Sequence, residues 1–412
     1  MADIAGRKVV LGVTGGIAAY KAVEVCRRLV DAGAHVVPVM TKGARRFVGE
    51  ATFSALASEP VQTDLFDPAK PNPHTKLGRS ADLVVVCPAT ARLIGTYCAG
   101  ISNDLLTATL LASRAPVLLC PAMHTEMWEH PAVQDNLATL AKRGVQFVAP
   151  GVGRLAGGDY GAGRLAEPVD IVAAIERCLT AQTLAGRRVV VSAGGTREPI
   201  DPVRFISNRS SGKQGYAIAE EAWRRGAAVT VVSTVTRPVQ SGTEVVSVET
   251  AAELHDAMQR YSAGADIVVM AAAVADFRPA QVAAGKIKKA AGGLQMVELE
   301  QTADILGGLG ATKPATQVLV GFAAETSDLR ANAALKLAAK GADMIVANDV
   351  SAPQRGFEHD TNEVLILVRD GRQVEVPLSD KRQVASAVLD VVESLLPPTA
   401  TPAVSVHHHE EH

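Results

Sequence analysis

One pattern constrains the chain most: a short β-branched strand, a glycine turn, a helix and a second strand, run twice. Residues 8–14, KVVLGVT, lead into glycines. Residues 17–32 then carry Val23, Cys26, Leu29 and Val30 at helical spacing, Gly33 stops the helix, and HVVPVM (35–40) follows. The same order restarts after residue 180 with RRVVVSAGGT (187–196), a helix over 213–225 ended by Gly226, and AAVTVVST (227–234). Further buried-type strands read at 83–89, 115–123, 266–273, 317–325, 343–349 and 363–368. Parallel strands need crossover helices, and this alternation supplies them. Such a chain folds as α/β: two Rossmann-like doubly wound parallel-sheet domains in tandem.

A length of 412 residues suits two domains. The boundary falls in LTAQTLAG, giving domains 1–180 and 186–396 and a proline-rich tail, 397–412, expected to be disordered. Lysine plus arginine total 41 against 43 aspartates plus glutamates, which argues against a dedicated nucleic-acid binder. Five cysteines without a CxxC pair disfavour a disulfide framework and a zinc site. Residues 8–20 look like a signal core but are broken by Gly12, Gly15 and Gly16. No uncharged apolar run reaches the roughly 18 residues that span a bilayer, so no membrane partner and a cytoplasmic location are expected.

In the first half, GVTGGIAAYK (12–21) sets glycines between a strand and a helix. Free N–H groups at a helix start suit a phosphate, although a tight structural turn has the same look. The segment is not GxGxxG, and Met40-Thr41-Lys42 stands where a dinucleotide site needs an acid. A mononucleotide such as FMN fits better. His74 sits in a proline-bounded loop, suited to acid/base work or to a structural role. Residues 151–163 hold six glycines in thirteen positions, which suits an active-site flap or a long surface hairpin.

In the second half, residues 192–221 place Arg197, Asp201, Arg204, Asn208, Arg209, Ser210, Ser211 and Lys213 before a helix, an anion-binding composition. It is not a Walker A motif, because Gln214 follows Lys213. Asp276 lies just past a buried strand, and KIKK follows at 286–289. Lys336 and Lys340 share one helical face.

TGGIAAYK (14–21), His74–Leu77, CPAT (87–90), GISNDLL (100–106), PAMHTEMW (121–128) and the GxGR-x-x-EP of 161–168 together resemble the flavin-containing cysteine decarboxylases. GGTREPIDPVR, the Asn208 region and SSGK resemble phosphopantothenate–cysteine ligases. In this order, over residues 6–400, they resemble the family of bifunctional coenzyme A biosynthesis proteins. The resemblance implies FMN held by Gly15, Gly16, Thr41, Pro88, Ala89 and Thr90, with His74 catalytic and Met123 at the substrate. It implies a ligase that uses CTP through an acyl-cytidylate, then cysteine. Asn208 would hold the 4′-phosphopantothenate carboxylate, with Arg204, Ser210, Ser211 and Lys213 also on the substrate. Met270, Ala271, Ala272, Asp276, Lys286, Ala303, Asp304, Ile305, Leu306, Phe322, Lys336 and Lys340 would bind CTP. Lys288 or Lys289 would stabilise phosphate charge, and Lys289 is taken as catalytic. Mg2+ would bridge the phosphates, with no protein ligand assigned.

Two positions depart from the family pattern. His124 stands where asparagine grips the substrate carboxylate, and is taken as catalytic in its place. Gly157 stands where a flap cysteine protonates the enethiolate; Asp159, Tyr160 or water is the expected substitute donor. The family also implies a homo-oligomer, a dodecamer of decarboxylase trimers joined by ligase dimers, with FMN at subunit boundaries. A flavin-binding regulatory subunit is disfavoured by His74 and the intact ligase motifs. A tandem NAD(P) oxidoreductase is disfavoured by the missing GxGxxG.

Overall fold

The computed structural model describes residues 4–66, 71–288, 296–325, 327–349 and 359–397. The expected tail, 397–412, lies outside the described residues from 398 onward, as does Lys289. The chain forms two compact units, residues 1–182 and 183–412.

The first unit holds strands β1 (Lys8–Val13), β2 (His35–Met40), β3 (Leu83–Ala89), β4 (Val117–Pro121) and β5 (Gln146–Phe147). They form one parallel sheet in the order β2-β1-β3-β4-β5. Val9, Val10, Leu11, Val84, Val85 and Val86 are fully buried, as expected of strands covered on both faces. Helix Ala19–Asp31 lies over one face, burying Ala22, Val25, Cys26 and Leu29. Helix Leu105–Ala112 covers the other and comes close because Gly12 has no side chain: a Cβ there would stand 2.5 Å from Leu106 Cδ1. The order in which strands are added reverses between β1 and β3, the switch point where open α/β sheets bind ligands. A separate hairpin pairs β6 (Gly151–Arg154) with β7 (Tyr160–Arg164).

The second unit is built on β8 (Arg188–Ala193). Its two short side ribbons pair β9 (Arg197–Pro199) with β10 (Phe205–Ser207), and β14 (Phe277–Pro279) with β15 (Leu299–Gln301). The main sheet adds β11 (Ala228–Ser233), β12 (Glu244–Ser247), β13 (Ile267–Met270), β16 (Val318–Glu325), β17 (Met344–Asp349), β18 (Thr361–Val368) and β19 (Gln373–Asp380). Its order is β12-β11-β8-β13-β16-β17-β18-β19. The first six are parallel; β18 runs antiparallel to β17, and β19 antiparallel to β18. The parallel core of the expected doubly wound fold thus carries an antiparallel hairpin at this end. The turn between β18 and β19 is too short for a crossover, so the two strands form a hairpin. The switch point of this sheet lies between β8 and β13.

Two candidate active sites at the sheet switch points

In the first unit a cavity of roughly 1080 Å³ opens at the carboxyl ends of β1 and β3. Gly15, Gly16, Thr41, Thr90, Met123 and His124 all line it. Thr14 braces the floor: its hydroxyl donates to the Pro88 carbonyl (2.7 Å) and accepts from the Thr90 N–H (3.2 Å). Gly15 is required by close approach, since a Cβ would stand 2.7 Å from the Gly43 carbonyl carbon. A Cβ on Gly16 would meet only Thr90 Cγ2, at 3.7 Å, so this backbone faces open space. Pro88 and Ala89 are buried strand residues beneath the cavity and do not line it. The rim carries exposed apolar side chains, among them Ile17, Tyr20, Phe47 and Met127. Glycine backbone, hydroxyls and an apolar wall are a fitting donor set for a flavin mononucleotide.

His74 stands elsewhere. It lies in the helix Pro73–Ser80, does not line this cavity, and its Nδ1 is buried without a hydrogen-bond partner. Such an atom is costly unless something satisfies it.

The glycine-rich segment is an ordered hairpin, β6–β7, and its tip also meets the cavity through Arg154, Leu155 and Ala156. It is stitched to residues 123–125: Met123 N–H donates to Gly163 O (3.0 Å), and Thr125 Oγ1 donates to Ala162 O (2.8 Å). Gly163 sits at φ 122°, and a Cβ on it would overlap the Met123 carbonyl. That clamp sets His124, at the N-cap of the short helix Thr125–Trp128, against the flap.

In the second unit a cavity of roughly 600 Å³ lies at the β8/β13 switch point. Met270, Ala271, Ala272, Asp276, Ala303, Asp304, Ile305, Leu306, Phe322, Lys336 and Lys340 line it, facing Asn208, Ser210 and Lys213. Asn208 Nδ2 donates to the carbonyls of Ala273 (3.3 Å) and Val274 (3.0 Å), drawing its loop over the end of β13. Gly195 permits that approach, because a Cβ there would lie 2.5 Å from Asn208 O. Helix Lys213–Arg224 starts at Gly212 in the left-handed region (φ 73°) with no side-chain cap, a terminus suited to phosphate.

The lysines are held by carboxylates. Lys340 Nζ is 2.6 Å from Asp304, Lys213 Nζ is 2.7 Å from Asp360, and Lys336 Nζ is 3.8 Å from Glu325. Burial pushes the Asp304 carboxyl up, but the bond to Lys340, the Gly307 N–H and both lysine charges hold it below its usual value.

Ser211, Arg204 and Lys286 do not line the cavity. Arg204 is turned inward, bonded to buried Asp201 through Nε (3.0 Å) and to the Ile287 carbonyl (3.0 Å). It thereby pins the backbone between the exposed Lys286 and Lys288. Arg204 and three backbone N–H groups hold the Asp201 carboxyl far below the usual range. Residues not foreseen from sequence also reach the cavity: Asn348, Asn362 and Lys381. Burial, and then the Lys213 charge, pushes the Lys381 ammonium down to about 8. Its only sequence signal was a lysine following a helix-capping aspartate, which reads as surface charge. Among the described residues no group of three His, Cys, Asp or Glu could hold a metal ion, and no helix is long and apolar enough to cross a membrane.

Two ligand-edge cavities on two α/β units define a flavoprotein followed by a pantothenate-metabolism unit, and sequence profiles agree. The family described as "Flavoprotein" matches residues 2–180, and the "DNA/pantothenate metabolism flavoprotein C-terminal domain" matches residues 184–396. The chain is 49% identical over 406 residues to the coenzyme A biosynthesis bifunctional protein CoaBC of Mycobacterium tuberculosis, covering 95% of this chain and 97% of that one. It is 46% identical to that of Bacillus subtilis, covering 94% and 97%. The crystal structure of a C-terminal domain of such a protein is similar at 40% identity and TM-score 0.45, over 52% of this chain and 98% of that one. The chain belongs to the coenzyme A biosynthesis bifunctional protein family. It is an enzyme with two activities, a phosphopantothenoylcysteine decarboxylase in its flavoprotein half and a phosphopantothenate–cysteine ligase in the other.

Proposed function

We propose that the second unit acts first, joining cysteine to 4′-phosphopantothenate at the expense of CTP. On substrate binding the Asn208 amide turns from the Ala273 and Val274 carbonyls to hold the substrate carboxylate in line with the α-phosphorus of CTP. A carboxylate oxygen attacks, pyrophosphate leaves, and the cysteine amine then displaces CMP from the acyl-cytidylate. Asp276 and Phe322 bind the nucleoside end, while Lys213, Lys336 and Lys340 meet phosphate oxygens. Each of these three lysines would exchange a carboxylate for a phosphate. Mg2+, as the family implies, would supply positive charge to the phosphate oxygens, a hard donor set, with no protein ligand assigned. By family likeness Lys286 binds CTP, and Lys288 or Lys289 adds positive charge during transfer. The observation that carries this is the convergence of Met270, Ala303, Asp304, Phe322, Lys336 and Lys340, from four separate strands, loops and helices, on the one cavity that Asn208 faces.

The first unit then decarboxylates the product to 4′-phosphopantetheine. FMN, when bound, supplies a two-electron acceptor that returns what it takes. The chain's own part is to hold it at Gly15, Gly16, Thr41 and Thr90, over the buried Pro88–Ala89 floor, to seat the substrate by Met123 and His124, and to exclude water with the hairpin tip. His74 belongs to the site of a neighbouring copy, which accounts for its place away from its own chain's cavity and its unsatisfied Nδ1. The exposed Ile17, Tyr20 and Phe47 are suited to burial in that contact. We place the assembly, a dodecamer by family likeness, in the cytoplasm. The test is direct: purified protein should show a flavin spectrum and release pyrophosphate only when CTP, 4′-phosphopantothenate and cysteine are all present. Colourless protein without pyrophosphate release would refute it.

A further inference from the structure

At the flap tip the residue facing His124 has no side chain. A Cβ built on Gly157 would stand 3.0 Å from His124 Cε1, 3.8 Å from His124 Nδ1 and 3.2 Å from Asp159 Oδ2. The space a residue-157 side chain would need is thus bounded by the imidazole. His124 reaches it because the clamp between residues 123–125 and 161–163 leaves its ring at the cavity wall.

We infer that His124 is the proton donor of the decarboxylase half, taking over the task of the side chain that Gly157 lacks. This rests on the decarboxylase reading above. The chemistry favours one residue for two tasks. The carboxylate leaves as carbon dioxide from the same carbon that must next be protonated. A group hydrogen-bonded to that carboxylate is therefore beside the carbon when the bond breaks. Loss of carbon dioxide leaves an enethiolate. The imidazolium N–H bond then breaks and a C–H bond forms at that carbon, while the sulfur lone pair becomes the second bond of C=S. The imidazole ends neutral, and the flavin, when bound, would supply the hydride that the thiocarbonyl carbon needs, the sulfur taking a proton to become the thiol.

Other groups at or beside the cavity serve less well. Arg92, Arg154 and Arg164 hold their protons too tightly. Lys21 is bonded to Glu167 at 3.0 Å. Tyr160 is 78% exposed and does not line the cavity. Asp159 lies beside residue 157 but does not line the cavity. Histidine is the side chain that gives and regains a proton near neutral pH.

The decisive variant is His124→Asn, which keeps a hydrogen-bonding grip but has no transferable proton. Flavin bleaching and carbon dioxide release should persist on adding 4′-phosphopantothenoylcysteine. The released product should be two mass units lighter than 4′-phosphopantetheine, in at least about tenfold excess over it. The double variant His124→Asn/Gly157→Cys should restore the saturated product. Gly157→Cys alone should not speed flavin reoxidation more than about twofold, because a donor is already present. Saturated product from His124→Asn at the wild-type rate, or a large gain from Gly157→Cys alone, would overturn the inference. Should His124→Asn lose its flavin, the Gly157→Cys measurement still decides. Absence of flavin bleaching by the wild-type protein would instead refute the decarboxylase reading on which the inference rests.

Discussion

The side-chain amide of Asn208 donates to the Val274 carbonyl across 3.0 Å, tying the loop before helix Lys213–Arg224 to the segment that follows β13. The two segments come from opposite sides of the switch point, and the second cavity lies between them. Asn208→Ala should lower pyrophosphate release at least about tenfold. It should cost only about 1 kcal/mol of stability, the usual worth of an exposed-side hydrogen bond. Decarboxylation of added phosphopantothenoylcysteine should be unchanged, so a steady-state assay of each half separates a site effect from general unfolding.

Gly310 tests how the lysines are placed. A Cβ there would overlap the Lys340 carbonyl, so helix Ile305–Thr312 touches the end of helix Leu329–Lys340 backbone to backbone. Gly310→Ala should force the helices apart, cost about 1–3 kcal/mol in urea unfolding, and raise the KM for CTP by displacing Lys340 from Asp304.

Lys381 makes the second unit's stability rise with pH. Its ordinary value is 10.5 and burial lowers it to about 8 in the folded chain. Between those values the unfolded chain binds the extra proton, so stability increases as pH rises through that window. Lys381→Met should flatten the urea midpoint over the same range and raise it at pH 7. A parallel wild-type and variant profile would show that the ammonium is not strained by its surroundings.

Asp201 acts with the opposite sense. Its folded value is depressed by Arg204 and backbone donors, so its contribution is complete above the ordinary carboxylate range and is lost as pH falls below it. Asp201→Asn should lower the urea midpoint at pH 7 and lessen the loss of stability on acidification. It should also loosen the backbone at Ile287, seen as faster hydrogen exchange at residues 286–288.

Much of this was legible because the strands are buried on both faces. Runs such as LVVVCPA and KVVLGV announce themselves by composition, and glycines at 15, 16, 195 and 212 mark where backbones approach or turn. β19 was not legible: it lies at the sheet edge with mainly exposed residues, so its hydrophobic signal is weak. The inward turn of Arg204 is set by Asp201 together with Ile287, a partner 83 residues away. Lys381 joins the cavity through strand order that local sequence does not encode. The relation of Gly157 to His124 needed both the alignment of the flap and the clamp that brings it against residues 123–125.

Two activities on one chain fix the stoichiometry of the overall reaction. The full-length protein should be given 4′-phosphopantothenate, cysteine and CTP, and pyrophosphate, carbon dioxide and thiol product followed together. One pyrophosphate and one carbon dioxide should appear per 4′-phosphopantetheine formed, with pyrophosphate first. Carbon dioxide without prior pyrophosphate, or pyrophosphate with no decarboxylated product, would contradict it.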